Sequence, residues 1–236
     1  MEKFLVFYTG VIHQVYLINK LKDLGFPICG VICEPPISRP VFDTSFPYPE
    51  ERKIFEDQVL FKGVSPEIID IPMYRVDDIN SKETADMIKK IKAQIGIVFG
   101  TKKLKPLIID LFDDFILNIH RGIAKEYRGV DSDFWAIYHH DFKNIGTTIH
   151  RVDEKLDTGP YTFMEQMPIA RDTKIWQLRG LTTSLGIELL SKTLKNHYNK
   201  SLVFHEQKKR GRYYSFFPTI FMEKCTQRFH KYTEKL

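Results

Sequence analysis

The sequence predicts an α/β fold: a mainly parallel sheet with helices on both faces. Two observations carry this. Through the first 120 residues, short apolar runs alternate with amphipathic stretches in a β-α-β-α-β rhythm. His120, Gly100 and Gly10 each fall just after a strand candidate. That places them on one rim of such a sheet, where ligands bind.

The elements follow in order. Phe4 to Tyr8 reads as a buried strand. Val11 to Leu24 carries apolar residues at helical spacing, and Gly25 stops it. Pro27 to Cys33 is the second strand. Five prolines between Glu34 and Pro49 make an irregular loop. A helix is expected over Glu50 to Phe61 and a short strand over Ile68 to Ile71. Asn80 or Ser81 caps a helix running to about Lys92. Ala93 to Phe99 is an apolar strand, Leu104 to Phe112 a helix, and Phe115 to Ile119 another strand. Asp133 to His140 reads as helix, Gly146 to Val152 and Tyr161 to Pro168 as strands, and Thr173 to Tyr198 as a long helix. The domains expected are a unit over 1–170 and an extension over 171–236, a helix and a β-hairpin packed on the same core.

Composition narrows the function classes. The balance of 43% hydrophobic and 28% charged residues is that of a globular protein. No apolar run approaches the ~20 residues of a membrane-spanning helix, and the N-terminal residues turn polar too soon for a secretory signal. A cytoplasmic protein with no membrane partner is expected. Cys29, Cys33 and Cys225 are too few and too poorly spaced for a disulfide framework or a metal site; buried small hydrophobes are their expected role. The net charge of +5 owes much to Lys208-Lys209-Arg210-Gly211-Arg212. A solvated loop is the favoured account of that cluster, a nucleotide diphosphate met by its arginines is a further one, and no nucleic-acid partner is expected. An RNA-binding tail is the competing reading, and its affinity would fall steeply with salt. The first βα turn, Tyr8-Thr9-Gly10-Val11-Ile12-His13, has neither a dinucleotide nor a P-loop signature.

The chemistry concentrates between Leu117 and Pro160. Asn118 and His120 are two apart, so they share a face if the strand continues through them. Asp157 must arrive from a separate loop, turned by Gly146, Gly159 and Pro160. An amide, an imidazole and a carboxylate suit acyl transfer between amines: Asn118 for the oxyanion, His120 for the proton, Asp157 to orient His120 and stabilise its charged form. Taken singly, each also has a structural reading, as a strand-end polar residue or a turn cap.

The run N-I-H, then Y-R-G, then G-T-T-I-H-x-V-D-E-x-x-D-T-G closely resembles the formyltransferases that use 10-formyltetrahydrofolate. The match is continuous from about Ile95 to Pro168. The resemblance implies a Rossmann-like fold, the catalytic set Asn118, His120 and Asp157, and no metal. It implies a folate site between the loop at Phe99, Gly100 and Thr101 and the loop from Asp141 to Gly146. Two departures stand out. Arg121-Gly122-Ile123-Ala124-Lys125 replaces the family's Pro-Ser-Leu-Leu-Pro, and the proline after Y-R-G is missing. Both should reshape the acceptor pocket, for which Arg121, Gly122, Tyr127, Arg128, Arg212 and Tyr213 are the candidate residues. Arg128 serves equally as a brace for the active-site loop.

The acceptor follows by comparison within that family. The purine enzyme's phosphate loop is absent after the first strand. About 68 residues follow Pro168, fewer than the methionyl-tRNA enzyme's added barrel requires. The chain is most similar to the nucleotide-sugar N-formyltransferases, often acting on a dTDP-4-amino-4,6-dideoxyhexose, a chemistry of O-antigen biosynthesis. Other amine acceptors, methionyl-tRNA or a ribonucleotide, and a catalytically silent folate-binding module are the alternatives. Aromatic residues near the C-terminus imply a homodimer if they are exposed.

Overall fold

A computed structural model describes residues 2–68 and 70–236. Seven strands form the main sheet in the order β3-β2-β1-β4-β5-β7-β8. β1 (Phe4–Tyr8), β2 (Ile28–Cys33), β3 (Met73–Arg75), β4 (Ile95–Val98) and β5 (Phe115–His120) run parallel. β7 (Gly146–Arg151) is antiparallel to β5, and β8 (Tyr161–Gln166) is antiparallel to β7. Burial on both faces explains why the parallel strands read as unbroken apolar runs rather than alternating ones.

Alternate residues of these strands feed two cores. Phe4, Val6, Ile97 and Leu117 face α1 (Ile12–Asp23) and α6 (Leu178–Tyr198), which supply Leu17, Ile18, Leu190 and Leu194. Leu5, Phe7, Val98 and Ile116 face α3 (Lys82–Ile91) and α4 (Pro106–Ile109), which supply Ile88 and Ile108. α3 begins at Ser81, whose side chain accepts from the Thr84 amide, and ends at Lys92 in the left-handed conformation. A third core joins α5 (Ser132–Tyr138) to the C-terminal α7 (Met222–Thr233) through Phe134, Phe217, Cys225 and Phe229.

Three sequence expectations change. The strand sought at Ile68 to Ile71 lies instead at Met73–Arg75, where pairing with β2 decides; Ile69 is outside the described residues. The helix from Glu50 is α2 (Pro49–Phe55) followed by a π-helical turn over Glu56–Leu60. The C-terminal hairpin is not formed. β9 (Arg212–Tyr214) instead pairs in parallel with β6 (Tyr127–Gly129), a strand 85 residues earlier in register. A parallel pair needs no adjoining turn, so no local signal announces it. Among the described residues, no helix is long and apolar enough to cross a membrane.

Candidate active site

The parallel strands end on one rim, and a cavity of about 650 Å³ opens there, within the range of small-molecule sites. Asn118, His120 and Asp157 all line it. β5 continues through His120, so Asn118 and His120 share the face the spacing predicts. Across the antiparallel ladder Asn118 sits directly opposite His150. Asp157 comes from the loop between β7 and β8, in the left-handed conformation at φ 54°. That loop is pinned by Gln207 Nε2, which donates to the carbonyls of Asp157 and Gly159, and by Arg128 Nη1, which donates to that of Leu156.

Asp157 is the hub. Its Oδ2 accepts from the Gly129 amide at 2.8 Å and lies 3.6 Å from His120 Nδ1. Its Oδ1 accepts from Asn118 Nδ2 at 3.2 Å and lies 3.4 Å from His150 Nε2. Burial alone would raise this carboxyl. The facing His120, His150 and the Gly129 amide outweigh burial and hold it well below the usual carboxylate range. For His120 burial dominates and pulls the imidazole down, with Asp157 opposing.

The orientation of His120 differs from the sequence expectation. Its Nε2 lies 2.7 Å from the Tyr127 carbonyl, an atom that only accepts. Nε2 therefore carries a proton, and in the neutral ring the open nitrogen is Nδ1. Tyr127 sets the ring, and Asp157 faces the nitrogen that takes up charge. His150 is fixed the same way: its Nδ1 donates to the Arg151 carbonyl at 2.9 Å. His150 Nε2 then has two roles: unprotonated, it accepts from Asn118 Nδ2 at 3.0 Å, and protonated, it faces Asp157 Oδ1 at 3.4 Å. Both amide hydrogens of Asn118 thus have internal partners.

Two glycines make this packing possible. A Cβ on Gly122 would lie 2.6 Å from His120 Nε2. Gly129 has φ +92°, and a Cβ there would meet the Tyr214 carbonyl at 2.0 Å.

The remaining predicted residues divide cleanly. Phe99, Gly100, Thr101, Arg121 and Tyr213 line the cavity. Asp141 and Gly146 do not; the Asp141 carboxylate is taken by the Tyr127 hydroxyl and Asn144, and Gly146 packs under Glu165. The second wall near Phe99–Leu104 is instead Val152, Asp153 and Leu156. Gly122, Tyr127, Arg128 and Arg212 also stand off the cavity. Tyr127 is buried and stacks on Tyr214, while Arg128 braces the loop and donates to the Gly211 carbonyl.

Sequence reasoning missed His13, Asp133, His150 and Arg179, all of which line the cavity. His150 stood inside the G-T-T-I-H motif, two residues after Thr148; on an antiparallel partner of β5 these two face Asn118 and His120 in turn, and that period was the available signal. The other three sit in helices with no local mark. His13 Nε2 pairs with Glu56 Oε1 at 2.7 Å, and Arg179 with Asp131 Oδ1 at 2.9 Å. Three buried atoms of this wall have no hydrogen-bond partner among the described residues: His13 Nδ1, Arg121 Nη1 and Asp133 Oδ2. Leaving such an atom unsatisfied costs about 1–3 kcal/mol.

The formyl transferase family profile matches residues 45–194. A methionyl-tRNA formyltransferase of Trichlorobacter lovleyi is 27% identical over 125 residues, 52% of this chain and 39% of that protein. The chain spans about two fifths of the length of the curated relatives it matches. In fold it is similar to a sugar N-formyltransferase from Shewanella sp, at TM-score 0.65 and 14% identity, covering 97% of this chain and 87% of that one. It is also similar to WlaRD, a sugar 3N-formyl transferase solved with dTDP and 5-N-formyl-THF, at TM-score 0.58 and 17% identity, covering 91% and 70%.

Proposed function

The chain belongs to the formyl transferase family, and from that premise we propose that it moves a formyl group from 10-formyltetrahydrofolate to the amine of a nucleotide-linked amino sugar. The observation that carries the reading is the buried Asp157 carboxylate, held between two imidazoles and the Asn118 amide on the cavity wall. A dTDP-4-amino-4,6-dideoxyhexose is the favoured acceptor. Its support is the fold likeness to a sugar 3N-formyl transferase solved with dTDP and 5-N-formyl-THF.

Folate fits the wall formed by Val98, Phe99, Leu104, Val152 and Leu156, whose apolar side chains suit a flat ring system. It supplies the formyl carbon. The chain's own groups handle charge and protons. His120 Nδ1 takes the proton that the attacking amine sheds, because Nε2 is tied to Tyr127, and returns it to N10 of the folate as the bond from that nitrogen to the formyl carbon breaks. Asp157, already ionised, stabilises the imidazolium without moving. Asn118 releases one amide hydrogen from His150 or Asp157 to the developing oxyanion. Tyr213, half exposed at the cavity edge, offers a ring to the carrier base.

The test is direct. Purified chain is incubated with 10-formyltetrahydrofolate and a panel of amino-sugar nucleotides, and products are weighed by mass spectrometry. A gain of one CO on a dTDP-amino sugar supports the assignment. Formylation of methionyl-tRNA with no sugar product would move the chain to its curated relatives' activity. Binding of folate with no formylated product of any kind would reduce it to a silent binding module.

A further inference from the structure

Arg121 directly follows His120 and stands where this chain departs from the pattern of its family. Its Nη1 is buried and unpartnered, and the residue lines the same cavity as the catalytic candidates. Two further groups share its condition. Asp133 is 3% exposed; its Oδ1 accepts from the Phe134 amide, and its Oδ2 has no partner. His13 is 5% exposed; its Nε2 is paired with Glu56, and its Nδ1 has no partner.

These atoms have defined characters. Glu56 accepts the Nε2 proton of His13, so Nδ1 of the neutral ring is an acceptor. Burial favours that neutral ring, against the pull of Glu56. Arg121 Nη1 can only donate, and burial raises the Asp133 carboxyl toward its neutral form, in which Oδ2 carries a proton to donate. With Asp133 neutral, two donors and one acceptor, each buried, face one cavity from the end of β5, from α5 and from α1. An ionised carboxylate or a phosphate dianion has no proton to give His13 Nδ1. A hydroxyl, with two lone pairs for the donors and one proton for His13 Nδ1, meets all three.

Resting on the acceptor reading above, we propose that Arg121, Asp133 and His13 form a subsite for a free ring hydroxyl of the amino sugar, and that this subsite decides which sugars are taken. A site built to bond a hydroxyl discriminates strongly against its deoxy analogue, because the buried partners are then stranded.

Three probes test it: dTDP-4-amino-4,6-dideoxyglucose and its 2-deoxy and 3-deoxy analogues, each with 10-formyltetrahydrofolate. One deoxy analogue is expected to lose about a hundredfold or more in kcat/KM. In Asp133→Ala and Arg121→Met that ratio should fall toward one, while 5-formyltetrahydrofolate still raises the melting temperature as in wild type. Equal kcat/KM for all three probes in wild type overturns the subsite, as does a ratio that survives both substitutions. Calorimetric titration of the probes into wild-type chain reads the same preference without turnover and without a variant. Tighter binding of the fully hydroxylated sugar by tenfold or more supports the subsite, and equal binding sinks it. Absence of formylation with all three probes counts against the acceptor reading instead.

Discussion

Asp157→Asn isolates the charge at the hub from its shape. Asparagine tolerates the left-handed backbone at φ 54°, and its carbonyl can still accept from Gly129 or Asn118. What vanishes is the negative charge 3.6 Å from His120 Nδ1. At an effective dielectric near 20, a unit pair at that separation is worth about 4–5 kcal/mol. If this charge stabilises the imidazolium in the transition state, kcat should fall by about three powers of ten. The assay is single-turnover formyl transfer at saturating folate, alongside thermal melting to show that the fold survives. A kcat within tenfold of wild type, in a folded variant, would falsify the electrostatic role. The same pair of proteins makes a pH prediction. The Asp157 carboxyl is depressed in the folded state, so its ionisation contributes stability that is complete above the unfolded value of about 3.9. That contribution is lost as pH falls below this value toward the folded one. Wild type should therefore lose stability relative to Asp157→Asn below about pH 4, with no pH-dependent difference from this group between 5 and 7.

Two further substitutions probe the neighbours. Asn118→Ala should lower kcat by roughly a hundredfold or more, the cost of one oxyanion donor; a change confined to KM would leave Asn118 as a scaffold for Asp157 and His150. Gly129→Ala should destabilise the fold by about 2–4 kcal/mol in denaturant titration, because its Cβ meets the Tyr214 carbonyl at 2.0 Å and φ is +92°. A loss below about 0.5 kcal/mol, within the range of an ordinary surface change, would mean that β6 and β9 part without penalty.

What the sequence made legible follows from how local each signal is. β1, β4 and β5 are buried apolar runs, so their residues announce them. Asn118 and His120 were placed correctly because a strand's two-residue period is fixed by its backbone. Met73–Arg75 carries no such run; it is a strand only because β2 offers it an edge. The partner of His120 Nε2 is a backbone carbonyl, invisible to side-chain motifs. The Asp141 loop was favoured as a folate wall on resemblance; in the structure its carboxylate is held by Tyr127 and Asn144, and Val152, Asp153, Lys155 and Leu156 line the cavity. His13, Asp133 and Arg179 come from three helices, and only tertiary packing brings them to one wall.

The short β6–β9 ladder has a consequence for the order in which the molecule matures. β6 supplies both the carbonyl that sets His120 and the amide that holds Asp157, and its companion strand is made some 85 residues later. The main sheet has all its strands by Gln166, so a nascent chain can assemble that scaffold while its reactive groups are still unaligned. Competence would then arrive only when the Arg212–Tyr214 segment docks, which delays chemistry until synthesis of that segment is complete.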